Sequence, residues 1–318
     1  MKIPKKISLA QISTPLQEIK FEGKNFLIKR DDLTGCELSG NKIRKLEYII
    51  EDAKRKKADI IFTCGGDQSN HARATTIAAK KIGLNTKLFL WGKENSNVNG
   101  NLFLNKMFGA EIKYLNKADY DRVNDIMFEE RIALLKKNKN AYVLPEGGST
   151  TLGIWGYINF IDELKKQINL SNIDSIVAAS GSGGTAAGML VGAALNNLNL
   201  KIVAVNVLYS KEEIKKKILQ LAEGCILDYK LNCKIDSDNL IILDGYSREG
   251  YKNITQSKIK LIRKFAAETG ILFDPAYTGK AFYAYYENYL MAGKGRKNIF
   301  VHTGGLFGVF GRTKDYLF

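Results

Sequence analysis

The stretch Ile176-Val177-Ala178-Ala179-Ser180-Gly181-Ser182-Gly183-Gly184-Thr185-Ala186-Ala187-Gly188 decides how this chain is read. An apolar run of strand type enters a loop of serines and glycines, and an Ala/Gly/Leu-rich helix leaves it. Glycines let backbone N–H groups turn toward one point, and the helix N-terminus adds the positive end of its dipole. Ser182 and Thr185 supply hydroxyl donors. The unit predicts a site for phosphate or a similar anion. A dinucleotide site would need an acidic residue near the end of the next strand, where this chain has Asn206. A Walker loop would need G-K-[ST] after the glycines, and that is absent. Taken alone, the loop could also be a tight strand–helix turn with no ligand.

The same alternation continues outward. Apolar runs of strand length fall at 26–29, 59–63, 87–91, 111–114, 141–144, 175–178, 201–207 and 298–301. Helical patterns fill 42–57, 71–82, 99–108, 120–137, 153–167, 185–195 and 257–269. In the first of these, Ile43, Leu46, Ile49, Ile50 and Ala53 recur at helical spacing. Strands alternating with helices predict an α/β chain of parallel sheets with helices on both faces. No repeat or low-complexity linker interrupts the pattern, and 169–174 is a candidate boundary.

The chain has 318 residues, 45% hydrophobic and 25% charged, enough for one large or two modest domains. No apolar run reaches the roughly eighteen residues of a membrane span. The start, MKIPKKISLAQISTP, lacks the apolar run of a secretory signal. Cys36, Cys64, Cys225 and Cys233 are scattered, with no C-x-x-C pair. The expectation is a reducing cytoplasm, with no disulfide framework and no metal site. The net charge is +15, but the lysines are mixed with acids, as in Glu51-Asp52-Ala53-Lys54-Arg55-Lys56-Lys57. Such runs read as solvated helix faces, so no nucleic-acid partner is expected, though the field favours small anionic substrates.

Lys42 stands at the start of the first predicted helix, just after Ser39-Gly40-Asn41. Nearby positive backbone ends favour a neutral, nucleophilic amine, which a Schiff-base lysine requires. The bland alternative is one surface lysine among many.

The wording around Lys42 carries more. Lys29-Arg30-Asp31-Asp32-Leu33-Thr34-Gly35, followed by Ser39-Gly40-Asn41-Lys42-Ile43-Arg44-Lys45-Leu46-Glu47, resembles the D-cysteine desulfhydrase and aminocyclopropane-carboxylate deaminase family. Further blocks resemble it in the same order: Gln68-Ser69-Asn70-His71-Ala72-Arg73, Pro145-Glu146-Gly147-Gly148, the segment 153–157, the loop 180–185, Asp274-Pro275-Ala276-Tyr277-Thr278-Gly279-Lys280-Ala281 and His302-Thr303-Gly304-Gly305. The resemblance implies a fold-type II pyridoxal-phosphate enzyme, related to the tryptophan synthase β fold. It implies two open twisted sheets of parallel type with flanking helices. The division it implies is a large cofactor domain of 1–50 and 165–318 and a small α/β domain of 51–164, with the active site in the cleft between them.

The resemblance also implies roles. Lys42 carries pyridoxal 5′-phosphate, and Ser180, Gly181, Ser182, Gly183, Gly184 and Thr185 hold its phosphate. Asn70 contacts the ring 3′-oxygen. Ser69, with the N–H groups of the following helix, seats the substrate carboxylate, and His71 shapes that seat. Tyr277 lies beside the ring and assists catalysis, Thr303 places a hydroxyl near the ring nitrogen, and Gly304 joins the cofactor contacts. Without a ligand, Ser69 and Asn70 would be a plain helix cap. His302 is expected to be structural. Thr278 fits the desulfhydrase branch, since the deaminases place Glu there. A second family tyrosine lies in G-Y-G-x-P, for which Gly250-Tyr251-Lys252-Asn253-Ile254 is an imperfect match, and Tyr246 competes with Tyr251. Trp155 stands where the family has a smaller aliphatic residue and is counted with the substrate-binding residues; facing the pocket, it would narrow it and could change the substrate. Ala186 replaces the family's histidine after Thr185.

The expected function is β-elimination on a small amino acid, with D-cysteine desulfhydrase first, in a cytoplasmic homodimer. Alternatives are a cysteate sulfo-lyase, a serine dehydratase or an aminocyclopropane-carboxylate deaminase. A catalytically silent metabolite-binding protein is the alternative of another class.

Overall fold

The computed structural model describes residues 3–94, 96–251 and 253–317. Among them ten strands form two sheets. The larger holds β1 (Leu16–Phe21), β2 (Lys24–Lys29), β7 (Ser175–Ser180), β8 (Lys201–Asn206), β9 (Leu240–Leu243) and β10 (Asn298–Val301), in the order β1-β2-β10-β7-β8-β9. The smaller holds β3 (Ile60–Gly66), β4 (Asn85–Trp91), β5 (Glu111–Leu115) and β6 (Ala141–Val143), in the order β5-β4-β3-β6. Every pairing is parallel except β1 with β2.

The helices are α1 (Lys42–Arg55), α2 (Asn70–Lys81), α3 (Gly100–Met107), α4 (Lys117–Asp121), α5 (Val123–Leu135), α6 (Trp155–Lys165), α7 (Gly184–Leu195), α8 (Lys211–Tyr229), α9 (Gln256–Thr269), α10 (Thr278–Tyr285), α11 (Leu306–Phe310) and α12 (Thr313–Leu317). Sequence reading expects neither the strand β1 nor α8, β9, α10, α11 and α12, and its helix over 120–137 joins the end of α4 to α5. β1 arises because Glu22 and Gly23 both take positive φ (48° and 75°), the geometry of a tight hairpin turn.

Strands buried on both faces explain the apolar runs. Alternate residues of β7 enter opposite cores. Ile176 and Ala178 pack with α6, α7 and α8, whereas Val177 and Ala179 meet the aromatic cluster of Phe265, Phe273, Phe282 and Phe300. Between α1 and α7 lies α6, and both contacts are close. A Cβ on Gly156 would sit 2.3 Å from the Arg44 carbonyl, and one on Gly188 would sit 2.4 Å from the Ile154 carbonyl.

A buried ionic cluster fastens α1 and α6 to the end of β2. Arg44 donates to both oxygens of Asp31 at 2.8 Å and to Glu163 at 2.8 Å. Lys29 Nζ donates to Glu163 at 2.5 Å, and the Tyr157 hydroxyl donates to Asp31 at 2.6 Å. No described helix is long and apolar enough to cross a membrane. The strands β3, β7 and β10 end where Ser69, the glycine loop and Thr303 begin, so one crevice outside their carboxyl ends collects all three.

Candidate active site

Lys42 is the first residue of α1, so its side chain leaves from the helix N-terminus. The turn before it needs Gly40, whose φ is +101° and whose Cβ would press on the Thr303 carbonyl at 3.0 Å. Asn41 N–H donates to that same carbonyl at 3.0 Å. Lys42 Nζ donates to Asn41 Oδ1 at 2.9 Å and lies 5.9 Å from the centre of the Tyr277 ring. Burial pulls the Lys42 amine down to about 8, against the opposing pull of Asp274 and Glu146. It is far more nucleophilic near neutrality than an exposed lysine.

The glycine loop faces it. Ser180 ends β7 with its hydroxyl buried and without a partner among the described residues. Gly183 has φ +86°, and Gly184 opens α7. Ser182 Oγ is 2.7 Å from Ser149 Oγ, and Gly184 N–H donates to Ser149 Oγ at 3.2 Å. Thr185 Oγ1 accepts from Asn41 Nδ2 at 3.1 Å.

Ser69 caps α2, its hydroxyl accepting from Ala72 N–H at 3.1 Å, and Asn70 and His71 open the helix. His71 Nε2 is 2.9 Å from Thr63 Oγ1. Burial, reinforced by Lys42 and Lys45, holds His71 far below its usual range, so it is neutral.

On the remaining wall, the Asp274 carboxylate accepts the N–H groups of Ala276, Tyr277 and Thr278 at 3.0, 2.9 and 2.8 Å. This cap sets Tyr277, and burial holds its hydroxyl well above the usual range. The Tyr251 ring meets the Tyr277 ring edge-on, 5.4 Å between centres, and burial lifts Tyr251 to about 12. Lys258 and Lys280 hold the Tyr251 loop by donating to the Tyr246 and Gly250 carbonyls at 2.6 and 2.7 Å. Lys252 of that segment lies outside the described residues. Thr303 Oγ1 is 3.1 Å from Thr278 Oγ1, which donates to the Gly304 carbonyl at 2.9 Å.

One cavity is thus lined by Lys42, Ser69, Asn70, His71, residues 180–185, Tyr277, Thr303 and Gly304. Tyr251 stands behind Tyr277, and Thr278 is fully buried behind Thr303. His302 is also buried, its Nδ1 accepting from Gly304 N–H at 3.2 Å.

Two expectations need correction. Trp155 does not face the cavity. It opens α6, is 2% exposed, and packs its indole edge-on against Tyr229 at 5.3 Å in the core beneath α7 and α8. It therefore cannot narrow a substrate pocket. Tyr246 points away as well, with its hydroxyl accepting from Asn288 at 2.7 Å.

Two charged residues of the cavity, Lys45 and Glu146, received no role from the sequence. Lys45 Nζ donates to the Gly147 carbonyl at 3.2 Å and to Ser149 at 3.3 Å, beside the start of α7. Glu146 lies between Lys42 and Tyr209. Lys45 lies one helical turn after Lys42, and that spacing could have found it. No local pattern marks Glu146.

A nucleophilic amine at one side and a glycine-lined helix N-terminus at the other suit a ligand with a carbonyl and an anion on one small frame. They are the marks of a lysine-anchored cofactor enzyme. The comparisons name the cofactor. The model of a family described as pyridoxal-phosphate dependent enzyme matches residues 7–304. A putative 1-aminocyclopropane-1-carboxylate deaminase of Thermotoga maritima is 39% identical over 315 residues, covering 97% of this chain and 99% of that one. The mitochondrial bifunctional D-cysteine desulfhydrase/1-aminocyclopropane-1-carboxylate deaminase of Arabidopsis thaliana is 35% identical, covering 96% and 79%. A crystal structure described as an ACC deaminase homologue superposes with a TM-score of 0.90 at 35% identity, covering 99% and 96%.

The chain belongs to the pyridoxal-phosphate dependent enzyme family, in the group of aminocyclopropane-carboxylate deaminases and D-cysteine desulfhydrases. Its fold is type II, and pyridoxal phosphate is its cofactor. The residues fit that group. The orphaned Ser180 hydroxyl and the left-handed Gly183 form a cradle for a phosphate, and Lys42 supplies the amine.

Proposed function

We propose that the chain eliminates the β-substituent of a small amino acid, with D-cysteine as substrate. Water enters, and pyruvate, ammonia and hydrogen sulfide leave. The observation that carries this reading is the Thr278–Thr303 pair. It gives the far wall neutral hydroxyls, and the nearby Asp274 carboxylate is spent on three backbone N–H groups. A wall without a free carboxylate favours loss of a good leaving group over opening a strained ring.

Lys42 and residues 180–185 hold the cofactor, with Asn70, Tyr277, Thr303 and Gly304 around its ring. Bound pyridoxal phosphate supplies an electron sink for a carbanion. Ser69 and the first N–H groups of α2 seat the substrate carboxylate, with His71 shaping the seat. Lys42 Nζ takes the α-proton. Tyr277, kept protonated by burial and backed by Tyr251, gives its proton to the departing sulfur. The same reading makes the protein a cytoplasmic homodimer, with the catalytic cleft between a large domain of 1–50 and 165–318 and a small one of 51–164. Four free cysteines support a reducing compartment.

The test is 2-oxo acid release by the purified holoenzyme from D- and L-cysteine, chloroalanine, serine, cysteate and aminocyclopropane-carboxylate. D-cysteine should give the highest kcat/KM. A preference for aminocyclopropane-carboxylate, the activity named for the Thermotoga maritima relative, would overturn the proposal. Silence on every compound would leave a binding protein.

A further inference from the structure

Asn101 is completely buried on α3, outside the cavity, yet its carboxamide reaches the turn that carries Ser69 and Asn70. Its Nδ2 donates to the Gln68 backbone carbonyl at 2.9 Å and to Asn70 Oδ1 at 3.0 Å. A backbone carbonyl only accepts, so the atom facing it must be the amide nitrogen. The Asn70 atom that meets this same nitrogen must then be oxygen. Asn70 therefore turns its NH2 the other way. That Nδ2 has no hydrogen-bond partner among the described residues, and Asn70 lines the cavity.

Asn101 is itself held in place. Its backbone N–H donates to Gln68 Oε1 at 3.0 Å, and Gln68 Nε2 donates to Asn99 Oδ1 at 3.0 Å. Gly100 between them has φ +53°, and a Cβ there would lie 2.4 Å from Gln68 Oε1. Gln68 thus clamps the first turn of α3, and no flip of Asn101 keeps both of its bonds.

We propose that Asn101 is a positioning residue that locks the Asn70 amide with its NH2 toward the cavity. The cavity then offers a hydrogen-bond donor to the cofactor's 3′-oxygen. A reversed amide would set a carbonyl against an oxygen that carries negative charge. The inference rests on the assignment of Asn70 to that oxygen.

The test compares holoenzymes of Asn70→Ala, Asn101→Asp and Asn101→Leu. Two quantities are read: the pH midpoint of the visible cofactor band and the dissociation constant for pyridoxal phosphate. A carboxylate at position 101 can only accept, so it draws the Asn70 NH2 toward itself and turns the carbonyl into the cavity. Asn101→Asp should move the midpoint in the same direction as Asn70→Ala and weaken cofactor binding about tenfold. Asn101→Leu, which frees the amide, should move it less. Adding Asn101→Asp to Asn70→Ala should change nothing further. A purely structural role would lower the melting temperature and leave the band alone. If Asn70→Ala moves both quantities and the Asn101 variants move neither, the positioning role is overturned. If Asn70→Ala leaves the band unmoved, the Asn70 assignment falls and the inference falls with it. Should the buried carboxylate prevent folding, Asn101→Leu carries the comparison.

Discussion

Asn41 Nδ2 lies 3.1 Å from Thr185 Oγ1, and this bond ties the lysine turn to the first turn of α7. The same carboxamide accepts from Lys42 Nζ through its oxygen. One side chain therefore registers the two halves of the cofactor site against each other. Removing the amine at its centre gives the plainest prediction. Lys42→Ala should lose the visible absorption band of the holoenzyme and at least about 10³-fold in kcat. A wild-type protein that stays colourless after incubation with the cofactor would count against the site.

Tyr277→Phe removes a hydroxyl that burial keeps protonated. The band should remain, and kcat should fall by about 10²–10⁴ with little change in KM. Steady-state kinetics separate this from a binding defect.

Trp155→Phe should leave the ranking of substrates unchanged, because the indole packs on Tyr229 in the core. It should cost roughly 1–3 kcal/mol of stability. A changed substrate ranking, measured by 2-oxo acid release, would contradict the placement.

Arg44→Leu strips the cation from buried Asp31 and Glu163. Denaturant unfolding should show a loss of about 3–5 kcal/mol. Burial works against ionisation of Glu163, but Arg44 and Lys29 hold it down to about 2. Its stabilising contribution is therefore present above the ordinary carboxyl pKa and fades as pH falls toward 2.

The cofactor-free protein should become more stable between pH 7.5 and 9.5. Lys42 and Lys280 titrate near 8 when folded, against 10.5 as ordinary lysines. In that window the unfolded chain binds more protons, so stability rises with pH. The raised Tyr251 and Tyr277 act in the opposite sense only above about pH 10, while burial of Cys64 and Cys225, which lifts them from the usual 9 to about 12, reduces the gain in the upper part of the window. The thermal midpoint should climb by a few degrees, and by less in Lys42→Ala. A midpoint that falls across the window would contradict the depressed amines.

The alternation of apolar runs made the parallel sheets legible, and the glycine loop with the Asn41-Lys42 turn made the cavity legible. Long-range consequences were not. The helix α8 carries a capping box at Ser210 and Glu213 and buries Ile214, Ile218, Ala222 and Cys225 at helical spacing, so the sequence does carry its signal. By contrast, β9 is a four-residue edge strand recognisable only from its pairing with β8. Trp155 shows the opposite limit. A large residue in a motif segment invites a pocket role, but only its packing partner reveals which way the helix turns it. Lys45 needed helical phase, and Glu146 needed the fold itself.

The glycines of α6 and α7 bear on more than packing. With Gly156 against the Arg44 carbonyl and Gly188 against the Ile154 carbonyl, the gap between α1 and α7 is the width of one bare helix. Lys42 opens one of those outer helices and the glycine loop opens the other. The middle helix therefore acts as a gauge block, setting how far the start that carries the amine stands from the start that carries the anion loop.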